Sequence, residues 1–331
     1  MTIRSIGLIA VLAAIALVPA ASVPAAAQNK ASTVPRAPDG KPDLQGVWGY
    51  ATLTPLERPA EFAGKEFLTE QEATEYENRR LRDENKDRRD GTAAADVTRA
   101  YNEFWWDRGT KVVSTRRTSL VVDPPDGRIP PLTEEARRRT AARTEARRSS
   151  GRGPSDGPED RPLGERCIIF GSGGVPMLPG AYNNNVQLVQ TPDHVALVNE
   201  MIHDTRVVSL DAARPPLPKN IRQYIGDSRG HWEGDTLVVV TTNFTDKTNF
   251  RGSSENMRLT ERFTRVAEDT LLYRFTVEDP SSFPRPWTVE IPMWKNHELM
   301  YEYACHEGNS SLSGVLSGAR AEEKAAAGAR R

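Results

Sequence analysis

From Arg166 onward, apolar and polar side chains alternate with a period of two, the pattern of β-strands buried on one face. In Thr270–Val277, Leu271, Tyr273, Phe275 and Val277 share one face, and Thr270, Arg274 and Thr276 share the other. Trp287, Val289, Ile291 and Met293 repeat the pattern. The same reading predicts strands over 47–53, 118–122, 186–190, 194–201, 205–210, 235–244, 257–266, 270–277, 287–293 and 299–305. Links such as Thr191–Asp193 and Ala267–Asp269 are short enough for hairpins. The pattern therefore predicts a mainly β, antiparallel fold of about ten strands, a closed or nearly closed barrel or sandwich.

Departures from alternation carry information too. Leu237 and Val239 share a face with Thr241 and Asn243, so an apolar face turns polar towards one end. Glu261 falls on the otherwise apolar face of Met257, Leu259 and Phe263. A barrel lumen with polar groups near its mouth would produce both. The glycine-punctuated stretch Gly226–Asp235 reads as a polar loop feeding the strand that begins at Asp235.

Residues 55–160 differ in character. Thr69 and Glu72 have capping-box spacing, and the run to Arg89 is charged on nearly every face, which predicts an exposed helix. Phe104, Trp105 and Trp106 form an aromatic knot. Thr133–Arg152 is a second helical stretch, whose arginines alternate with Glu134, Glu135 and Glu145 as on a solvated face.

The ends of the chain set the compartment. Arg4, the apolar run Ile6–Val18 and the small residues Ala25–Ala27 have the form of a cleavable signal peptide over 1–27. A linker over 28–41, one β-rich domain over 42–318 carrying the 55–160 insertion, and a disordered tail over 319–331 complete the expected organisation. The expected location is periplasmic or secreted, with no stable membrane anchor after cleavage. Cys167 and Cys305 are the only cysteines, and in an oxidising compartment one disulfide is the economical reading. Two buried free thiols are the alternative. A formal net charge of −1 excludes a globally basic, nucleic-acid-coating protein.

Three polar constellations are candidates for chemistry. Glu200, His203, Asp204 and Arg206 follow one strand; His can serve as acid or base near neutrality, and a nearby carboxylate can fix its tautomer. Glu200 and Asp204 share a face if that strand stays regular. Tyr303, His306 and Glu307 flank Cys305, and a disulfide would bring Arg166 beside them. Asp227, Arg229 and His231 lie in the glycine-rich loop. A cap, a turn or a satisfied hydrogen-bond network competes with function for each. The five histidines lack zinc-motif spacing, no Gly-x-Ser-x-Gly elbow is present, and Cys305-His306 lacks the first cysteine of a c-type haem motif. Neither metal nor cofactor is expected.

Gly46-Val-Trp48 at the entry to the β region resembles the opening of the lipocalin-like barrels, in which the Trp plugs the closed end. More broadly, PDLQGVW (42–48), RTSLVVDPPDGRIPPLT (117–133), ERC (165–167), YNNN (182–185), EMIHDTR (200–206), GDSRGHWEGDTLVVVTTNF (226–244), RPWTVEIPM (285–293) and YEYACHEGN (301–309) resemble a family of exported, largely uncharacterised bacterial β-rich proteins. The resemblance implies export and a β-rich, lipocalin/calycin-like fold; no single activity comes with it.

The expected function is binding of a small organic molecule in a barrel or rim pocket, with no nucleic-acid partner. Acid–base chemistry of a lyase, isomerase or hydrolase is the catalytic form of that expectation. His203 or His306 would be the acid or base, and Glu200, Asp204 or Glu307 its carboxylate partner. Arg166, Arg206 and Arg229 would hold an anionic or enolate oxygen, with Asp227, Asn243, Glu261 and Tyr303 lining the site. The competing class is a non-catalytic ligand-binding or interaction protein.

Overall fold

The computed structural model describes residues 34–89, 91–98, 102–170 and 174–329. The expected signal peptide, and the linker as far as residue 33, lie outside the described residues. Ten strands form one sheet: β1 (Gly46–Gly49), β2 (Val121–Asp123), β3 (Asn185–Gln190), β4 (His194–Asn199), β5 (Thr205–Ser209), β6 (Asp227–Glu233), β7 (Thr236–Thr242), β8 (Arg258–Ala267), β9 (Thr270–Glu278) and β10 (Trp287–Asn296). Nine of them close into a barrel in the order β1-β3-β4-β5-β6-β7-β8-β9-β10, with β10 returning to β1. The tenth, β2, pairs with the N-terminal half of β10.

The expected barrel is there, but it is mixed: β5 and β6 are parallel, meeting at Ser209 and Arg229. A parallel pair needs a crossover, and residues 210–226 supply it. The expected loop at Gly226–Asp235 is mostly β6, joined to β7 by the tight turn at Gly234–Asp235. Two of its inward positions, Ser228 and Gly230, are small, and only Trp232 on that phase is large and apolar. A Cβ on Gly230 would sit 2.7 Å from Leu210 Cδ2 and 2.8 Å from Val208 Cγ1. The strand therefore lacks the large apolar period that identifies its neighbours. Residues 299–305, expected as a strand, pair with nothing in the sheet.

Inside the barrel the alternation is realised. Trp48, Phe263, Tyr273, Phe275 and Trp287 are fully buried, and each such side chain contributes about 1.5–3 kcal/mol from burial. The turns at 191–193, 234–235 and 268–269 lie at one end of the barrel by register. Trp48 closes that end: its indole N–H donates to Leu44 O at 2.8 Å, and the guanidinium of Arg265 lies 5.4 Å from its ring. The long connections, 50–184 and 243–257, and the 200–204 turn open at the other end.

The insertion holds α1 (Glu70–Glu84), α2 (Ala93–Thr98) and α3 (Glu134–Ser149). The capping box forms, with Glu72 N–H donating to Thr69 Oγ1 at 3.2 Å and Thr69 N–H to Glu72 Oε2 at 2.9 Å. A last helix, α4 (Ser310–Ala329), replaces most of the expected disordered tail.

Candidate functional site

The strand β4 ends at Asn199, and the chain turns through Ile202 and His203, both in the left-handed region with φ of 60° and 48°. Such backbone is costly for a non-glycine residue and persists only where its surroundings enforce it. The turn breaks the parity that would have put Glu200 and Asp204 on one face. Glu200 instead accepts from Asn185 Nδ2 at 2.8 Å.

The enforcing partner is the C-terminal arm. Cys167 and Cys305 form the expected disulfide, with Cα atoms 5.8 Å apart. The bridge packs with Met201 and Ile202 in a small buried cluster and holds Tyr303 against it. His203 Nδ1 donates to Tyr303 O at 2.9 Å in the tautomer that leaves Nε2 as a proton acceptor. The His203 and His306 rings lie 6.2 Å apart, centroid to centroid. Asp204 joins them: burial pushes its carboxyl up to about 6, against the pull of the two imidazoles. Three expected residues are therefore brought together. Glu307 is exposed, and the structure gives neither it nor the half-buried Arg166 a side-chain role in this cluster. Among the described residues no group of three His, Cys, Asp or Glu side chains has the geometry to hold a metal.

Arg206 and Glu261 lie inside the barrel as alternation requires, but they face each other. They form a two-pronged ion pair, with Nη2 donating to Oε1 at 2.9 Å, and are 4% and 0% exposed. Tyr273 Oη donates to Glu261 Oε1 at 2.8 Å, and Arg206 Nη1 also reaches Thr241 and Ser228. Burial works against the Arg206 charge, and Glu261 outweighs it, so the guanidinium stays charged. This network lies in the lumen, and it engages Arg206 and Glu261 with each other.

Asp227, Arg229 and Asn243 brace the crossover. Asp227 accepts from Arg214 Nη2 and from Leu217 N, both at 3.2 Å, and Arg229 donates to Arg214 O. Asn243 Nδ2 reaches the carbonyls of Leu217, Pro218 and Ile221 at 3.0–3.1 Å. His231 is exposed and bonded to Glu233 at 3.1 Å.

The sequence reading missed a cleft in the barrel wall. β10 pairs with β1 through Trp294–Asn296 and with β2 through Thr288–Val289, and between them the two partners separate. Glu290 N–H still reaches Leu120 O at 2.9 Å. The next backbone group facing the gap belongs to Pro292, which has no N–H to leave unpaired. The segment 107–114 roofs the gap. It is fixed by Leu53 N–H to Lys111 O at 2.8 Å and by Val113 N–H to Thr54 Oγ1 at 2.9 Å. The resulting cleft has a volume of about 460 Å³ and is lined by Ala51, Thr52, Asp107, Val113, Met293 and Trp294, among others.

Two glycines shape it. A Cβ at Gly49 would lie 2.5 Å from Trp294 Cε2, so the indole lies across bare backbone with 45% of its surface open. Gly109, at φ 80°, brings the roof so close that a Cβ would sit 2.9 Å from Ala51 C. Asp107 lies at the mouth; it is exposed as a residue, yet enough protein surrounds its carboxyl for burial, and then the Glu200 charge, to raise its pKa. Burial and the same Glu200 charge raise the Tyr50 hydroxyl. The sequence did carry two signals: a proline inside a strand, and Trp294 on the polar phase of β10. No family model, no curated protein and no solved structure matches this chain.

Proposed function

We propose that this is an exported protein that binds a small organic molecule in the side cleft of its barrel. The observation that carries the reading is the cleft itself. At about 460 Å³ it falls within the size range of small-molecule sites, and an aromatic face, aliphatic walls and a few polar groups are the usual lining of such sites. Export is supported by the sequence of residues 1–27 and by the disulfide, which suits an oxidising compartment. Among the described residues no helix is long and apolar enough to cross a membrane.

A second reading, acid–base catalysis, is favoured by the corner at His203. A hydrogen bond from Nδ1 to a carbonyl leaves Nε2 to take a proton from substrate. Asp204 would steady the imidazolium that results.

One experiment separates the two. Ligand-observed NMR with a library of aromatic and aliphatic small molecules is run on the wild type, on Trp294→Ala and on His203→Ala. The cleft reading expects hits that vanish in Trp294→Ala and persist in His203→Ala. Hits with the opposite dependence would transfer the function to the corner, and an absence of hits counts against a small-molecule role at either place.

A further inference from the structure

The charge around the cleft is uneven, and this narrows what it can hold. Lys111 lines the same space, but its ammonium is paired with Glu77 Oε2 at 2.9 Å, and Glu77 also takes Val112 N–H at 3.0 Å. The two charges of that pair sum to zero. Lys295, beside Trp294 in sequence, carries its ammonium 5.9 Å from the Trp48 ring. Arg108, beside Asp107, is taken up by Glu84 and Glu103. Asp107, which lines the cleft, has no such counterpart: among the described residues no ion pair joins it to a basic side chain. The mouth therefore carries uncompensated negative charge beside an open indole face.

An indole face attracts both flat apolar rings and cations. A cation placed between it and a carboxylate gains from both, more strongly where protein displaces water. Ala51 and Val113 add aliphatic surface to the lining, and an open indole face stacks better with a flat ring than with a puckered one. We propose that the cleft takes a planar aromatic or heteroaromatic molecule carrying a protonated amine, its ring against Trp294 and its ammonium at Asp107. This rests on the cleft reading above and adds the ligand class.

The test uses naphthalene derivatives that differ in charge alone, measured by isothermal titration calorimetry on the full disulfide-bonded chain at pH 7.5. The probes are 2-(aminomethyl)naphthalene, 2-naphthalenemethanol and 2-naphthoate, with cyclohexylmethylamine as a non-planar cation. The amine is expected to bind about tenfold more tightly than the alcohol, and the carboxylate and the cyclohexyl amine more weakly still. Asp107→Asn should bring the amine to the level of the alcohol while leaving the alcohol unchanged. Trp294→Ala should weaken both by about tenfold or more. Asp107 is exposed as a residue and 45% of Trp294 is open, so far-ultraviolet circular dichroism of each variant is expected to match the wild type. A carboxylate that binds as well as the amine, or an amine preference that survives Asp107→Asn, overturns the ligand class and leaves the cleft standing. Amine and alcohol binding that is absent, or indifferent to Trp294→Ala, overturns the cleft reading and this proposal with it.

Discussion

The Arg206–Glu261 pair offers the sharpest check on the barrel interior. Both side chains are essentially sealed from water, and the pair gains from two charge-assisted contacts and the Tyr273 hydroxyl. Removing one partner leaves the other charge buried. Glu261→Met strands the guanidinium, and Arg206→Met leaves the carboxylate with little beyond Tyr273; each is expected to cost about 3–5 kcal/mol. Against a total stability of about 5–15 kcal/mol for a domain, either loss is severe. The double replacement Arg206→Met with Glu261→Met removes both charges and keeps the space filled, so it is expected to lie within about 1 kcal/mol of the wild type or above it. The interaction energy from the double-mutant cycle is then large, on the order of 5 kcal/mol or more. Urea unfolding followed by far-ultraviolet circular dichroism, with the disulfide kept oxidised, reads all four proteins; slopes must agree for the comparison to hold. Single variants costing under about 1 kcal/mol, or an additive double variant, would refute a desolvated pair at this place.

Three further outcomes follow from the geometry. Asp204 has a folded pKa near 6 against an ordinary value of 3.8, so its contribution is fully present below about pH 4 and lost as pH rises through 6. Asp204→Asn should match the wild type at pH 4 and exceed it by on the order of 2 kcal/mol at pH 7.5, and a variant less stable than wild type at pH 7.5 contradicts the sign. The Cys167–Cys305 bridge spans 138 residues and is worth about 5 kcal/mol on the chain-entropy account. Its reduction should lower the urea midpoint and shift the His203 imidazole resonances as Tyr303 is released; unmoved resonances would mean the arm is held by other contacts. Gly109→Ala places a Cβ 2.9 Å from backbone at a residue with positive φ, which should cost about 1–3 kcal/mol and weaken cleft ligands; a neutral result would deny the close approach of the roof.

How far the chain could be read beforehand depended on whether each residue's partner was local. Strands β7 to β10 were legible because Leu271, Tyr273, Phe275, Trp287, Val289 and Ile291 keep strict phase against one core. The strand β6 was not, since Ser228 and Gly230 make room for Arg206, Val208 and Leu210 from a neighbour reached only through the crossover. The burial of Glu261 followed from parity, but its ion-pair partner lies 55 residues away and periodicity does not name it. Cys167 and Cys305 were paired by count and compartment. The joining of His203, Asp204 and His306 depended on two left-handed residues, Ile202 and His203, that no propensity forecasts.

The same reasoning explains why the best candidate site lies in the wall and not in the lumen. A closed barrel of nine strands has no edge to offer, and this one packs Trp48, Phe263, Tyr273, Phe275 and Trp287 into its interior around the Arg206–Glu261 ion pair. Access must come from a place where pairing lapses. Pairing lapses cheaply only where no donor is stranded, and Pro292 provides that place between the stretches of β10 that bind β1 and β2. Once the wall parts there, the adjoining residues acquire their roles by position: Met293 faces inward as floor, and Trp294, on the next residue, faces outward as platform. Gly49 keeps the backbone under that platform clear, and the 107–114 segment brings Asp107 to the mouth. A proline in mid-strand followed by an aromatic on the solvent phase is therefore the sequence-level mark of the opening, and it sits within the passage where the strand pattern is otherwise most regular.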